Sequence, residues 1–435
     1  MKDRQQDQTN RISRRRFLKG VAAVAAATAA RQLIRPGSDA VHADTLHPYS
    51  VNLPVVASSQ SGTSFYVDSI TGNDNDLGTS TVRAWRSLRR VFSAFVAGEF
   101  RGGDRLFFRR GCEWTASSAG RIYVRNVRGL AADRPFYIGA YGTDDGKPRL
   151  NGYNNMWASA IVQGSDPSTS HVVVEDLHLI GSDAQEIYLK GVTNWRVRRV
   201  DIGEGVNNLG LAVLVLRSSD INFEGCTMTT AGSNQSSIIY LGTYQDLTDQ
   251  PTDIRIVNCD LHQAGAECVD FKSGARRVTI ENCRMSGAPL DGVVSLRGTD
   301  HVVRGNTISN QLGNGRGITI WDTQPNSRHT IEGNVITDTR GDGIRIAGND
   351  HRVVGNHIMR CAGVCLRIFG GGHYVSGNEF ANAASGVDVN CGWYQFQSDF
   401  NDFRSLSSYY TSNATPVSIS VVQGSYHKEQ NSTFG

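Results

Sequence analysis

A short pattern recurs along most of the chain and constrains its fold more than any other feature. Each copy begins with residues that alternate between outward and inward side chains, as in a β-strand. A small or polar residue follows, then a position that recurs in every copy, then one further residue and finally an apolar residue. The recurring position is occupied by Leu177, Val200, Cys226, Cys259, Cys283, Asn306, Asn334, Asn356 and Asn378. Successive copies lie 22 to 33 residues apart. Because this spacing leaves no room for the helix of a β-α-β unit, the pattern predicts an all-β parallel solenoid with stacked coils.

The recurring position also predicts how neighbouring coils interact inside the solenoid. Asparagines occupy it from Asn306 onward, so each amide is expected to bond its counterpart one coil away. Cysteines occupy it in three earlier coils, where stacked, buried and reduced thiols are expected. These cysteines are Cys226, Cys259 and Cys283. Cys361 and Cys365 are close in the chain, but the sequence leaves open whether they form a disulfide.

Composition excludes several classes of protein. Of the 435 residues 39% are hydrophobic, which is enough to bury a core and argues against a disordered chain. The 44 basic and 41 acidic residues give a net charge of +3, too near neutral for a nucleic-acid partner. No window beyond the N-terminus reaches the ~18–20 apolar residues of a membrane span, so we expect no membrane association after export.

The N-terminus carries a targeting pattern. Residues 13–19 read S-R-R-R-F-L-K and match the twin-arginine export motif, and an alanine-rich apolar run follows over 21–30. Residues 41–43, V-H-A, offer the small side chains that a signal peptidase reads, which makes Asp44 the expected first residue of the mature chain. We therefore expect the Tat translocase as a partner during export and a periplasmic or extracellular protein.

Both ends of a solenoid need a cover, because an open end exposes strand edges and core. A helix with Trp85, Leu88, Phe92 and Phe95 on one face is the expected N-terminal capping helix. The predicted organisation is a signal peptide over 1–43, a linker over 44–62, an N-terminal cap and first coils over 63–155, β-helix repeats over 156–392, and a C-terminal cap or tail over 393–435.

One sheet of the predicted solenoid carries charged side chains on its outer face. Alternation along 269–272 leaves Asp270 and Lys272 outward, and in the next coil it leaves Ser295 and Arg297 outward. Arg297 is therefore expected about 5 Å from Lys272, one rung away. Trp321 follows in the same column, and further candidates on this face are Tyr240, Arg345 and Arg367. Guanidinium groups beside an aromatic ring are suited to an anionic sugar chain.

The repeats over about 150–390 resemble the right-handed parallel β-helix superfamily of pectin- and alginate-degrading proteins. Residues 266–301, AECVDFKSGARRVTIENCRMSGAPLDGVVSLRGTDH, are similar to the active-site coils of the alginate lyase and chondroitinase B family. The matching residues are Glu267, Lys272, Ser273, Arg297, Asp300 and His301. The resemblance implies that Lys272 is the base, that Arg297 is the acid or charge stabiliser, and that Glu267 binds Ca²⁺, with Asn234 and Gln235 as possible further ligands.

The chemistry of elimination is consistent with these residues. The reaction removes a weakly acidic proton next to a uronate carboxylate, whose charge must be neutralised while a base acts on the carbon. A lysine can serve if neighbouring cations lower its pKa; Arg297 would do so and Asp270 would oppose it. The predicted function is a polysaccharide lyase for a uronic-acid polymer. The predicted substrate-binding residues are Asp270, Trp321, Arg345, Arg367, Tyr240 and His301.

Three alternatives stay open. A glycoside hydrolase would need two or three carboxylates in the groove, and the candidates are Asp270, Asp291, Asp322 and Asp342. The Asn-Thr-Asp and Gly-His-Gly signatures of polygalacturonase-like hydrolases are missing from the sequence, as is the Asp-Pro-His-Glu of mannuronan epimerases. A uronan epimerase shares proton abstraction with a lyase. A non-catalytic β-helix that binds polysaccharide is the third alternative.

Overall fold

The computed structural model of the chain describes residues 62–435, except 153–159, 183, 204–210, 231–235, 314 and 322–326. The described chain forms three sheets of 13 strands each, and successive coils contribute one strand to each sheet. Neighbouring strands pair in parallel, apart from the last pair of the second sheet, Ser408–Ser412 with Thr415–Val417. The expected solenoid is confirmed. Within the described ranges, none of the helices is both long and apolar enough to cross a membrane.

The strands are short and follow each other regularly through the coils. The first sheet contains Ser64–Val67, Arg105–Arg109, Phe136–Tyr141, Val172–Glu175, Thr193–Arg198, Ser219–Glu224, Thr252–Val257, Arg276–Glu281, Val302–Arg304, Thr330–Glu332, Arg352–Val354, His373–Ser376 and Phe396–Asp399. The second sheet contains Ile122–Val124, Val162–Gly164, Ile187–Lys190, Val213–Leu216, Ile239–Leu241, Val269–Phe271, Val294–Leu296, Ile318–Ile320, Ile344–Ile346, Val364–Ile368, Ser385–Val389, Ser408–Ser412 and Thr415–Val417. The third sheet contains Glu113–Thr115, Arg149–Asn151, His178–Ile180, Asp201–Ile202, Thr227–Thr229, Asp260–His262, Arg284–Ser286, Thr307–Asn310, Val335–Thr339, His357–Cys361, Glu379–Ala381, Asp402–Arg404 and Thr433–Phe434.

The small or polar residue of the repeat makes the turn between the first and third sheets. Gly333 has a φ of 60° and Asn282 a φ of 54°, both in the left-handed region that glycine and asparagine tolerate best. The turn directs the next residue inward, which places the recurring position in the core.

The expected asparagine ladder is present. The Nδ2 of Asn306 donates to Oδ1 of Asn334 at 2.9 Å, and the same contact continues through Asn356 and Asn378 at 2.9 and 3.0 Å. The ladder extends beyond the predicted Asn378, because Asn378 Nδ2 donates to Oδ1 of Asn401 at 3.1 Å and the amide of Asn401 donates to the buried Glu429. Since each amide bonds the next coil, the ladder fixes the register of successive coils.

The cysteines of the recurring position are buried as expected. Cys226, Cys259 and Cys283 are each exposed by 2% or less, and all eight cysteines of the chain are free thiols. Cys361 and Cys365 are therefore not joined in a disulfide.

A second interior ladder was not predicted. The imidazoles of His301, His329, His351 and His373 stack with ring centroids 4.8, 5.0 and 5.1 Å apart. All four are buried, and each Nδ1 accepts a backbone N–H from the preceding coil.

Helix α1 (Leu88–Ala97) lies beside the terminal strand Ile122–Val124 of the second sheet. Its buried residues are Leu88, Val91, Ala94 and Phe95. The predicted face was therefore partly wrong. Trp85 is fully buried but precedes the helix, and Phe92 is only half-buried, with its ring 6.4 Å from that of Tyr123.

The other helical segments are short. Helix α2 spans Ile419–Tyr426, and 3₁₀ turns span Thr81–Arg83, Pro167–Thr169 and Trp393–Gln395. The twin-arginine motif and the signal peptide lie outside the described residues, so they stay predictions.

Candidate active site

The outer face of the second sheet brings most of the predicted site residues into two rows. The strand row runs through the centres of successive strands and contains Tyr240, Asp270, Ser295, Thr319, Arg345 and Arg367. The exit row follows directly after three of these strands and contains Lys272, Arg297 and Trp321. The backbone N–H of Lys272 donates to Leu241 O, and that of Trp321 to Leu296 O, which keeps the exit row in register.

Asp270 is the centre of a buried ionic cluster. Its carboxylate, 1% exposed, accepts from Lys272 Nζ at 2.5 Å and from Arg297 Nη1 at 3.0 Å. Arg297 also donates to Ser295 Oγ at 3.2 Å and lies 3.6 Å from the carboxylate of Asp291. Two cations from adjacent coils therefore converge on one carboxylate.

Aromatic rings border the cluster. The Nζ of Lys272 lies 4.4 Å from the ring centroid of Tyr240 and 5.5 Å from that of Tyr244. The guanidinium of Arg297 lies 5.4 Å from the ring centroid of Trp321. Sequence reasoning missed Tyr244, because an exposed tyrosine in a loop belongs to no repeat pattern.

Glu267 lies in the turn that precedes the strand Val269–Phe271. It is 3% exposed, and its carboxyl accepts a hydrogen bond from Ser237 Oγ at 2.8 Å. Burial and the neighbouring charge of Asp270 raise the pKa of Glu267 to about 7, although Lys272 and the Ser237 hydrogen bond act in the opposite direction. Both protonation states are therefore populated near neutral pH, which suits a group that donates or accepts a proton.

Glu267 is the predicted calcium ligand that lies among the described residues. Calcium takes six to eight oxygen ligands, several of them carboxylates. Among the residues that the structure describes, no group of three or more His, Cys, Asp or Glu side chains could hold a metal ion. Asn234 and Gln235 lie outside the described residues. Calcium dependence stays a prediction, and no catalytic step is assigned to a metal.

Arg345 and Arg367 lie farther along the strand row, three and four rungs from Asp270. The guanidinium of Arg345 lies 4.9 Å from the ring centroid of Trp321 and 4.6 Å from that of Phe369. Arg367 is instead engaged by two carboxylates, Asp342 at 2.8 Å and Asp388. Carboxylates of the chain itself therefore already pair with Arg367, and its role in substrate binding stays a prediction.

His301 does not lie on this face, and its predicted contact with substrate is wrong. The side chain is 0% exposed, inside the histidine stack and against the ring of Phe271. Its Nε2 contacts Arg297 O at 2.8 Å, so it supports the backbone beneath the cluster. That role came from the resemblance to the lyase active-site coils; in the structure the histidine precedes the strand Val302–Arg304 at a corner of the coil.

Two of the four aspartates proposed for a hydrolase lie together, because Asp270 and Asp291 both border Arg297. Asp342 pairs instead with Arg367 and Arg316, and Asp322 lies outside the described residues.

Comparison with known proteins agrees with the fold. The family model described as "Right handed beta helix region" matches residues 185–351 and 247–403, which together span half of the chain. A pectate lyase structure is 14% identical with a TM-score of 0.53, over 79% of this chain and 80% of the other. The A-module of a mannuronan C-5 epimerase from Azotobacter vinelandii is 14% identical with a TM-score of 0.52, over 80% of this chain and 93% of the other. At such identities these likenesses concern the fold alone.

A curated relative matches a shorter stretch. A lacto-N-biosidase from Bifidobacterium longum subsp. longum is 35% identical over 91 residues. The match spans 21% of this chain and only 5% of the length of that relative.

Proposed function

The chain belongs to the right-handed β-helix family, and from this premise we propose that it is a polysaccharide lyase that cleaves a uronic-acid polymer by β-elimination. The observation that carries the proposal is the convergence of Lys272 and Arg297 on the buried Asp270, at 2.5 and 3.0 Å. The outer face of the second sheet would hold the polymer along the coils.

Lys272 and Arg297 favour elimination over hydrolysis, although Asp270 and Asp291 balance their formal charge. In elimination, loss of the proton next to the carboxylate leaves negative charge on the uronate, which Lys272 and Arg297 would stabilise. Glycoside hydrolysis instead passes through a transition state with positive, oxocarbenium-like charge. Cationic groups at the site would oppose that charge.

Each group then has a role that balances the reaction. Lys272, acting as the base, takes the proton from the carbon next to the carboxylate. The electron pair of that C–H bond forms a carbon–carbon double bond, and the bond to the glycosidic oxygen breaks. The departing oxygen takes a proton from Glu267 in its acid form, for which a pKa of about 7 is suited. Arg297 neutralises the uronate carboxylate.

Export through the twin-arginine translocase would bring the enzyme to such a polymer. A periplasmic or extracellular location is part of the proposal, because long uronic-acid polymers are found outside the cytoplasm.

The test is the ultraviolet absorbance of an unsaturated uronate while the chain from Asp44 is incubated with alginate, pectate and glycosaminoglycans, with and without calcium. We expect absorbance to rise on one polymer and to fall by about 10²–10⁴-fold with Lys272→Ala, as for loss of a general base. Arg360→Gln, which removes an exposed arginine paired with Asp338, is the matched control. Activity retained by Lys272→Ala would remove its role as the base.

A glycoside hydrolase is the second candidate, and one observation favours it. Glu267, with its pKa near 7, lies close to Asp270, and a carboxylic acid beside a carboxylate is the pair that hydrolases use. The partial match to a lacto-N-biosidase is consistent with this alternative. New reducing ends without ultraviolet absorbance, lost with both Glu267→Gln and Asp270→Asn, would support it.

A further inference from the structure

We infer that Arg345 and Trp321 form an anion-binding subsite, which takes a uronate carboxylate about two sugar residues from the cleaved bond. The inference rests on the proposed function for the class of polymer. Arg297 and Arg345 lie two rungs apart along the second sheet, about 10 Å, which is close to the length of two sugar residues in an extended chain.

Two unpaired donors mark the subsite. The Nη1 of Arg345 and the Nε1 of Trp321 are both buried, and neither has a hydrogen-bond partner among the described residues. Guanidinium and indole nitrogens donate and do not accept. Buried donors in proteins ordinarily have a hydrogen-bond partner. Two neighbouring side chains that both lack one therefore indicate that a ligand supplies the acceptor.

The charge balance of the face separates Arg345 from its neighbours. Arg297 has Asp270, and Arg367 has Asp342 and Asp388. Arg345 has no carboxylate within ion-pair distance in the part of the chain that the structure describes. Burial and the neighbouring cations Arg316 and Arg367 lower the pKa of Arg345, against the smaller opposing effect of the more distant Asp342 and Asp291, so an anion beside it would stabilise its charge.

The guanidinium is held in place before any ligand arrives. It lies 4.9 Å from the ring centroid of Trp321 and 4.6 Å from that of Phe369, which holds it by cation–π contact. Its Nη1 stays without a hydrogen-bond partner among the described residues. A carboxylate has two oxygens, of which one can accept from Arg345 and the other from the indole of Trp321.

The experiment measures binding without turnover. In a Lys272→Ala background, the affinities for hexamers of galacturonate and of mannuronate are compared by calorimetry with those for the same hexamers after reduction of their carboxyl groups. We expect at least one charged hexamer to bind about tenfold or more tightly than its reduced form. Arg345→Met, which keeps an aliphatic side chain beside the two rings, should reduce this ratio to below about threefold.

Arg360→Gln controls for the loss of one positive charge and should keep the ratio. Because the ratio is taken within one variant, partial unfolding cancels. An unchanged ratio in Arg345→Met, or no discrimination before the substitution, would overturn the inference. Discrimination that depends on Arg345 in a protein without elimination activity would leave the subsite standing and reject the lyase.

Discussion

The stack of four buried histidines makes the stability of the solenoid depend on pH, and His351 offers the sharpest test. Burial, with a contribution from His373, lowers the pKa of His351 from 6.5 to about 4. As the pH falls, His351 is therefore protonated near pH 6.5 in the unfolded chain but only near pH 4 in the folded chain. Stability is full above the unfolded pKa and is lost as the pH falls.

The size of the effect follows from the shift. Between about pH 7.5 and pH 5 the unfolded histidine gains most of a proton, which at 1.36 kcal/mol per pKa unit amounts to about 2 kcal/mol for His351. Glu186 and Glu267 act in the opposite sense, because burial raises their pKa values to about 8 and about 7. The free energy of unfolding of the original chain therefore contains pH-dependent contributions of both signs. The contribution of His351 is obtained by comparing the original chain with a variant that lacks this histidine.

The perturbation is His351→Asn, which keeps a side-chain oxygen to accept the N–H of His329. The free energy of unfolding is measured in urea at about pH 7.5 and pH 5 for both proteins. We expect the original chain to lose about 2 kcal/mol relative to the variant at the lower pH. A difference in stability that does not change with pH would refute the account of the stack as neutral imidazoles.

Three further predictions concern the site and the core. The kcat/KM for cleavage should fall as the pH rises above about 7, because Glu267 must be protonated to act as the acid. In Glu267→Gln this decrease at high pH should disappear, and a decrease that persists would have to come from another group. Asn356→Ala should lower the free energy of unfolding, measured in urea, by about 3 kcal/mol, because it leaves several buried groups of the ladder unpaired. The control Thr307→Ala, at an exposed position, should lower it by less than about 0.5 kcal/mol, and equal losses would contradict the role of the ladder. A thiol reagent should modify the partly exposed Cys391 before the seven buried cysteines, and early modification of Cys283 would be inconsistent with its burial.

The solenoid could be predicted because its signals are local. Alternation along a strand decides which side chains face outward, so Lys272, Arg297 and Trp321 were placed on one face from sequence alone. The asparagine ladder was equally accessible, since a constant position in each repeat must stack. The histidine stack had the same kind of signal, because His301, His329, His351 and His373 recur at spacings of 28, 22 and 22 residues.

What the sequence did not reveal depends on packing between distant parts of the chain. The burial that raises the pKa of Glu267 comes from the coils and loops around it, which no repeat pattern describes. The distinction between Arg345 and Arg367 depends on whether a carboxylate from another coil reaches each guanidinium. The role of His301 came from a short family motif, which does not show whether a side chain at a corner of the coil points outward or into the core.

The mass of the cleaved product, formed in heavy-oxygen water, distinguishes elimination from hydrolysis. For elimination we expect oligosaccharides lighter by one water than hydrolysis products, with no heavy oxygen incorporated, and none formed by Lys272→Ala. Products that carry heavy oxygen at a new reducing end would contradict elimination and assign the cluster around Asp270 to hydrolysis.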